Sequence, residues 1–177
     1  MNESILPREL ITLARRVVDE NRKAGRKVAL AESCTGGLVA AALTEIPGSS
    51  AVLERGFVTY SNEAKMECLD VSSDIIETFG AVSIACAWAM AKGALKNSRA
   101  DIAVAVSGVA GPDGGSELKP VGTVVFARAT RDETGTPNGE LVHLDGSNRS
   151  EIRVQAAMEA LKLLLPDQES GDAGGTP

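Results

Sequence analysis

The stretch Val28-Ala29-Leu30-Ala31-Glu32-Ser33-Cys34-Thr35-Gly36-Gly37 decides the architecture of this chain. Its first four residues are apolar and predict a buried strand, and residues 38–43 predict a helix. The turn between a strand and a helix directs backbone N–H groups and the positive end of the helix dipole at one point. We therefore expect Ser33, Thr35 and Gly36 to bind an anion or a developing oxyanion, the alternative being an ordinary helix N-cap.

Composition and charge restrict the class of protein. The chain has 177 residues, of which 44% are hydrophobic and 24% are charged, as in a soluble globular domain. Aromatic residues make up only 3%, which argues against stacking on single-stranded nucleic acid. The net charge of −6 argues against binding to DNA or to an anionic membrane, whereas a small anionic ligand needs only a few local cations.

Targeting and metal-binding signals are absent from the sequence. No apolar stretch approaches the roughly 20 residues that span a bilayer, and the first residues do not resemble a signal peptide. The three cysteines, Cys34, Cys68 and Cys86, and the single His143 do not form a zinc pattern. We therefore expect a cytoplasmic protein that needs no metal and no cofactor.

Helices and strands are predicted to alternate along the chain. The pattern predicts helices over residues 7–24, 37–45, 62–69, 73–79, 83–97 and 149–165. It predicts strands over residues 28–31, 102–107, 123–130 and 140–144, and one within residues 51–60 that is clearest over 56–60. Alternation with apolar strands predicts a three-layer α/β/α sandwich around a mixed, partly parallel sheet. Residues 1–166 are expected to form one domain, and residues 167–177 a polar, disordered tail.

In such sheets, ligands bind at the carboxyl ends of the strands. Ser107 and Gly108 end the predicted strand over residues 102–107 and open a glycine-rich loop that extends to Gly115. This loop is a second candidate for substrate binding, because it offers a hydroxyl group and backbone N–H groups.

Three kinds of nucleophile can be considered. A Ser-His-Asp triad would need His143, which lies on a predicted strand without an evident partner, and a Gly-x-Ser-x-Gly elbow is missing. Cys34 at a helix N-terminus is a second candidate, although no histidine lies nearby in the sequence. A serine activated by lysine is the third. Lys65 opens a helix beside Tyr60 and Asn62, and a desolvated lysine can act as a general base, the alternative being a solvated helix face.

Several motifs follow one another in an order that resembles the CinA C-terminal domain family. The resemblance runs from about residue 8 to residue 165, which is most of the chain. The motifs are Ala31-Glu32-Ser33-Cys34-Thr35-Gly36-Gly37, Pro47-Gly48-Ser49-Ser50, Gly56-Phe57-Val58-Thr59-Tyr60-Ser61-Asn62-Glu63-Ala64-Lys65, Gly80-Ala81-Val82-Ser83, Ser107-Gly108-Val109-Ala110-Gly111-Pro112-Asp113-Gly114-Gly115 and Lys119-Pro120-Val121-Gly122-Thr123-Val124.

The resemblance, in its stand-alone nicotinamide-nucleotide amidohydrolase form, implies hydrolysis of the carboxamide of nicotinamide mononucleotide to nicotinate mononucleotide and ammonia. It implies a metal-independent serine–lysine pair, carried here to Ser50 and Lys65 with Tyr60 in support. Ser33 and Ser49 lie in equally matched motifs and remain alternatives for the nucleophile. A non-catalytic module that binds pyridine nucleotides, or one associated with competence, is the alternative function.

Two further expectations concern binding and assembly. Arg149 or Arg153, at the start of the last predicted helix, could supply a cation for the substrate phosphate, or could lie on a solvated face. The alanine-rich helix over residues 83–97, with Trp88, Met90 and Ala91, offers an apolar face. This face predicts a homo-oligomer, the alternative being packing against the sheet.

Overall fold

A computed structural model describes residues 4–132 and 138–167 of the chain. The helices are α1 Arg8–Lys23, α2 Leu38–Thr44, α3 Asn62–Leu69, α4 Ser73–Phe79, α5 Ile84–Lys96 and α6 Arg149–Leu163. The strands are β1 Val28–Glu32, β2 Leu53–Val58, β3 Ile102–Gly108, β4 Thr123–Thr130 and β5 Asn138–His143, and a short 3-10 turn, Ser49–Ala51, precedes β2. The predicted alternation of helices and strands is confirmed.

The five strands form one mixed sheet in the order β2-β1-β3-β4-β5. Strand β1 pairs in parallel with both β2 and β3, whereas β3-β4 and β4-β5 are antiparallel. Glu32, the last residue of β1, is in register with Val58 on one side and with Val106 on the other. The carboxyl ends of β2, β1 and β3 therefore meet at one edge of the sheet.

Helices cover both faces of the sheet, as the predicted three-layer sandwich requires. Helices α1, α2 and α6 pack together over one face, and α3, α4 and α5 cover the other. Alternate residues of each strand enter opposite cores, so Leu30 and Val104 face the first group of helices while Ala31 and Ala105 face the second. Because the alanine side chains on this side of the sheet are small, α5 lies close to the strands.

The structure refines the predicted element ends. Strand β2 begins at Leu53 and ends at Val58, so Tyr60 lies beyond the sheet rather than in a strand. Asp167, predicted as the first residue of the tail, receives two hydrogen bonds from the Arg128 guanidinium, at 2.7 and 3.1 Å. The rest of the predicted tail, residues 168–177, and the middle of the predicted turn over residues 131–139 lie outside the described residues.

Helix α5 uses its apolar side within the protein. Met90 and Ala91 are fully buried in the core on that face of the sheet, and Trp88 packs against its margin. The face proposed for self-association is therefore largely core packing, and the homo-oligomer stays a prediction. Among the described residues, no helix is both long and apolar enough to cross a bilayer.

Candidate active site

Lys65 is fully buried, with 1% of its surface exposed. It lies on the first turns of α3, whose N-terminus is fixed by Ser61, because the Ser61 hydroxyl accepts a hydrogen bond from the Ala64 N–H. This cap follows β2 closely and turns α3 back over the carboxyl edge of the sheet. The Lys65 amine thereby reaches the end of β1, where Nζ lies 3.0 Å from the Ser33 hydroxyl oxygen.

Carbonyl groups and a hydroxyl group surround the Lys65 amine. Nζ donates to the Thr59 carbonyl at 2.9 Å and lies 3.5 Å from the Ser61 carbonyl. None of the ion pairs within the described part of the chain includes Lys65. Burial lowers the pKa of Lys65 from its ordinary value, and the nearby Cys86 and Cys34 thiols oppose this only in part. The amine is therefore suited to accept a proton.

Ser33 directly follows β1 and is buried except for a small opening toward the cavity. Its N–H donates to the Val106 carbonyl of β3, so the sheet holds its backbone in place. Gly36 and Gly37 then adopt left-handed φ angles of 59° and 95°, which let the chain reverse into α2 within a few residues. The sequence Ser-Cys-Thr-Gly-Gly thus presents one hydroxyl at a sharp strand-to-helix turn.

The N-terminus of α2 is occupied by the protein's own carboxylate. Glu32, which is fully buried, accepts hydrogen bonds from the Thr35 hydroxyl at 2.6 Å and from the N–H groups of Gly37, Val39 and Ala40 at 2.9–3.1 Å. The positive end of the helix is therefore already neutralised. The expectation that this end faces a substrate anion is not supported, and neither Thr35 nor Gly36 lines the cavity.

The other proposed nucleophiles are placed unfavourably. Burial raises the pKa of the Cys34 thiol to about 11, so the thiol stays protonated near neutral pH. His143 lies on β5, half-exposed, and its closest charged neighbour is the exposed Asp145 at 3.7 Å. Neither residue has both a group that activates it as a nucleophile and a position open to a substrate.

Ser50 and Lys65 are not brought together. Ser50 is exposed on the 3-10 turn that precedes β2, whereas Lys65 follows β2. The six residues of β2, at about 3.3 Å each, separate the two positions by roughly 20 Å. Ser49, on the same turn, also lies at the amino end of the strand. Of the serine hydroxyl groups in the matched motifs, that of Ser33 is the one described within hydrogen-bond distance of the Lys65 amine.

Ser107 and Gly108 end the neighbouring strand β3, and both line the cavity. Ser107 is 2% exposed. The loop that follows continues along the cavity wall through Ala110, Gly111 and Asp113. This second predicted binding segment therefore lies beside Ser33, as expected from their positions after parallel strands.

Tyr60 and Arg149 form the outer wall. The Arg149 guanidinium donates to the Tyr60 hydroxyl at 2.8 Å and to the Gly111 carbonyl at 2.6 Å, so it joins the turn after β2 to the glycine-rich loop. Arg149 lies in the first turn of α6 and lines the cavity. Arg153, one turn later, instead donates to the Cys34 and Thr35 carbonyls and braces the turn that carries Ser33. Of the two predicted arginines, Arg149 is the one that a ligand can reach.

The cavity enclosed by these groups has a volume of about 310 Å³, near the lower end for small-molecule sites. Asn62, beside Lys65, and five residues of the predicted binding loop also line it: Val109, Ala110, Gly111, Asp113 and Gly114. Ala81 and Val82, which were not proposed as site residues from the sequence, line it as well. Their place in a matched motif between α4 and α5 was the available signal. No group of acidic, cysteine and histidine side chains that could hold a metal ion occurs among the described residues.

Fold and site together define a class: a three-layer α/β protein with a buried lysine beside a serine at the carboxyl edge of a parallel β-strand pair. The model of the CinA C-terminal domain matches residues 10–167. The chain therefore belongs to the CinA C-terminal domain family, as the motifs indicated.

Curated relatives and solved structures agree with this assignment. The chain is 51% identical over 156 residues to the nicotinamide-nucleotide amidohydrolase PncC of Escherichia coli (strain K12), covering 88% of this chain and 93% of that protein. It is 51% identical over 146 residues to a putative competence-damage inducible protein of Symbiobacterium thermophilum, covering 79% and 34%. The crystal structure of competence/damage inducible protein CihA from Agrobacterium tumefaciens superposes with a TM-score of 0.86 at 49% identity, covering 91% and 96%.

Proposed function

We propose that this chain is a nicotinamide-nucleotide amidohydrolase that converts nicotinamide mononucleotide to nicotinate mononucleotide and ammonia. The observation that carries the proposal is the 3.0 Å contact between Lys65 Nζ and Ser33 Oγ, in a cavity, with no carboxylate paired to the lysine in the described structure. The near full-length similarity to proteins named for this activity supports the substrate.

Ser33 is the nucleophile in this proposal, in place of Ser50, and Lys65 is the general base. A neutral amine has two N–H bonds and one lone pair. The Thr59 and Ser61 carbonyls are positioned to accept the two N–H bonds, which leaves the lone pair facing the Ser33 hydroxyl. The geometry is thus suited to removing the hydroxyl proton as Ser33 attacks.

The reaction then balances with the groups at hand. Ser33 Oγ bonds to the carboxamide carbon, its proton moves to Lys65 Nζ, and the carbonyl electron pair moves to oxygen. The backbone N–H of Cys34, the residue after the nucleophile, is the proposed donor to this oxyanion. Collapse breaks the C–N bond as Lys65 returns the proton, so that ammonia leaves and an ester remains. Water, deprotonated by Lys65, cleaves the ester and restores Ser33.

The rest of the nucleotide fits the outer part of the cavity. Arg149 is the cation that lines it besides Lys65, and the backbone N–H groups of Ala110 and Gly111 make no hydrogen bond within the described structure. These donors suit a phosphate. Asp113, which also lines the cavity, offers a carboxylate to ribose hydroxyl groups.

The test is to incubate the purified protein, after treatment with a chelator, with nicotinamide mononucleotide and to measure ammonia, nicotinate mononucleotide and inorganic phosphate. We expect equal amounts of ammonia and acid and no phosphate. Activity that disappears with the chelator and returns with a metal ion would contradict the metal-independent mechanism. Tight nucleotide binding without ammonia would favour the non-catalytic binding module.

A further inference from the structure

Ser107 carries a hydroxyl group that the fold leaves unused. Its side chain is nearly fully buried and lines the cavity, and its Oγ makes no hydrogen bond to any other described residue. By contrast, the neighbouring buried hydroxyl of Thr35 donates to Glu32. A hydroxyl group without a protein partner at the wall of a cavity is free to donate a hydrogen bond to a bound ligand.

Strand order places Ser107 opposite the general base. Lys65 binds the Thr59 carbonyl just beyond β2, Ser33 follows β1, and Ser107 lies at the end of β3. Because β1 lies between β2 and β3, the lysine approaches Ser33 from one side and Ser107 flanks it on the other. The hydrogen bond from the Ser33 N–H to the Val106 carbonyl keeps β1 and β3 in register at this point.

The two flanks of Ser33 match the two substituents of a carboxamide. The amide nitrogen must receive a proton to leave as ammonia, so it belongs on the side of Lys65. The carbonyl oxygen then points toward β3. We propose that the Ser107 hydroxyl is a catalytic donor, which hydrogen-bonds the carboxamide oxygen and the oxyanion formed from it, together with the Cys34 N–H. This inference rests on the proposed function. It assigns the side of Ser33 on which the carboxamide nitrogen binds and the side on which the oxygen binds.

The first test is the Ser107→Ala variant, assayed for ammonia release from nicotinamide mononucleotide. Loss of one oxyanion donor typically lowers kcat by about 10²–10³-fold, and we expect that fall with little change in KM. Ser107→Thr retains a hydroxyl and should recover part of kcat. Ser98→Ala, before the opposite end of β3, is the matched control and should leave kcat unchanged.

The second test separates an oxyanion role from a structural one. Sulfur is a weak hydrogen-bond acceptor, so the thiocarboxamide analogue of the substrate cannot use the Ser107 donor well. The ratio of kcat between wild type and Ser107→Ala should therefore be large for the oxygen substrate and close to one for the sulfur analogue. A distortion of the site would slow both substrates alike.

If wild type and Ser107→Ala release ammonia from the oxygen substrate at the same kcat, the role of Ser107 is overturned while the amidohydrolase stands. Equal penalties on both substrates would likewise overturn it in favour of a structural role. If the wild type releases no ammonia, the proposed function fails, and this inference fails with it.

Discussion

Two fully buried polar side chains, Asn21 and Lys65, lie at opposite ends of the sheet in different surroundings. Asn21, near the amino end of β1, donates to the Val17 and Leu164 carbonyls at 2.9 Å and accepts a hydrogen bond from Arg26 at 2.8 Å. Its hydrogen-bonding groups are satisfied by the protein. Lys65, at the carboxyl end, is a potential cation with a hydroxyl and carbonyls around it and no paired carboxylate in the described structure.

Under the proposed function, the amino end of the sheet serves stability and the carboxyl end serves chemistry. A buried polar group with all its partners fixes the packing of the elements that it joins, here α1 to the segment after α6. A buried amine without a counter-charge lowers stability and gains reactivity, because its neutral form is favoured.

Removing the proposed nucleophile, Ser33, should abolish activity, whereas removing a serine at the amino end of the sheet should not. We expect Ser33→Ala to lower kcat by about 10⁴-fold or more, because no other described hydroxyl contacts Lys65. Ser50→Ala should turn over like the wild type, since Ser50 is exposed before β2. The measurement is steady-state ammonia release. A Ser50→Ala variant without activity would restore the serine first expected from the sequence.

Removing the cation of the outer wall should affect binding more than chemistry. Arg149→Met should raise KM for nicotinamide mononucleotide by about 10-fold or more, since a charged hydrogen bond contributes about 1.5–3 kcal/mol. It should alter the use of nicotinamide riboside, which lacks the phosphate, much less. Arg153→Met is the comparison, because that side chain braces the Ser33 turn and should affect both substrates alike. An equal loss on both substrates for Arg149→Met would contradict a phosphate contact.

At the amino end, the expected effect is on stability. Asn21→Leu removes two donors and one acceptor from a buried network, so we expect the free energy of unfolding to fall by about 2–4 kcal/mol. The kcat of the folded fraction should stay unchanged. Chemical denaturation followed by circular dichroism measures the first quantity, and ammonia release at low temperature measures the second. A lowered kcat at full folding would show that the two ends are coupled.

At the carboxyl end, removal of the amine should have the opposite effect on stability. Lys65→Met should abolish turnover and raise the melting temperature near neutral pH, because the apolar side chain has no charge to desolvate. Its retention of fold also separates a catalytic role for Lys65 from a structural one. A melting temperature below that of the wild type at neutral pH would contradict this account.

The sign of the pH dependence follows from the lowered pKa. Between the lowered pKa of folded Lys65 and the ordinary value of 10.5, the unfolded chain binds more protons than the folded chain. The stability of the wild type therefore rises with pH across this window, and the advantage of Lys65→Met should shrink as the pH approaches 10.5. Thermal melts of both proteins over this range provide the measurement. An advantage that is constant with pH would show that the amine does not titrate there.

Much of the fold was predictable because it depends on local pattern. Periodicity predicted the helices, and apolar runs predicted β1 and β3 within a residue or two. The burial of Lys65 was also predictable, because this residue follows a strand and opens a helix that must bury one face. The family was identified from ordered motifs, and the match to residues 10–167 confirms it.

The partner of Lys65 was harder to predict. Ser33 and Lys65 are 32 positions apart and meet only because β1 and β2 are parallel neighbours. The decisive signal was the position of each serine relative to its strand. Ser33 follows β1 and Ser107 lies near the end of β3, whereas Ser50 precedes β2. The carboxyl ends of parallel strands share an edge. Likewise, local pattern alone did not show that Glu32 would fill the N-terminus of α2.

The sequence by itself determined the layers, the parallel core and the edge at which a site could form, because hydrophobic period and turn chemistry are local properties. Only the tertiary structure decided which side chains meet there. Contacts between elements that are distant in the chain bury Lys65 and bring it to Ser33. Such contacts also complete the hydrogen bonds of the Asn21 side chain. Desolvation and hydrogen-bond partners depend on that packing, and they separate a reactive buried group from a stabilising one.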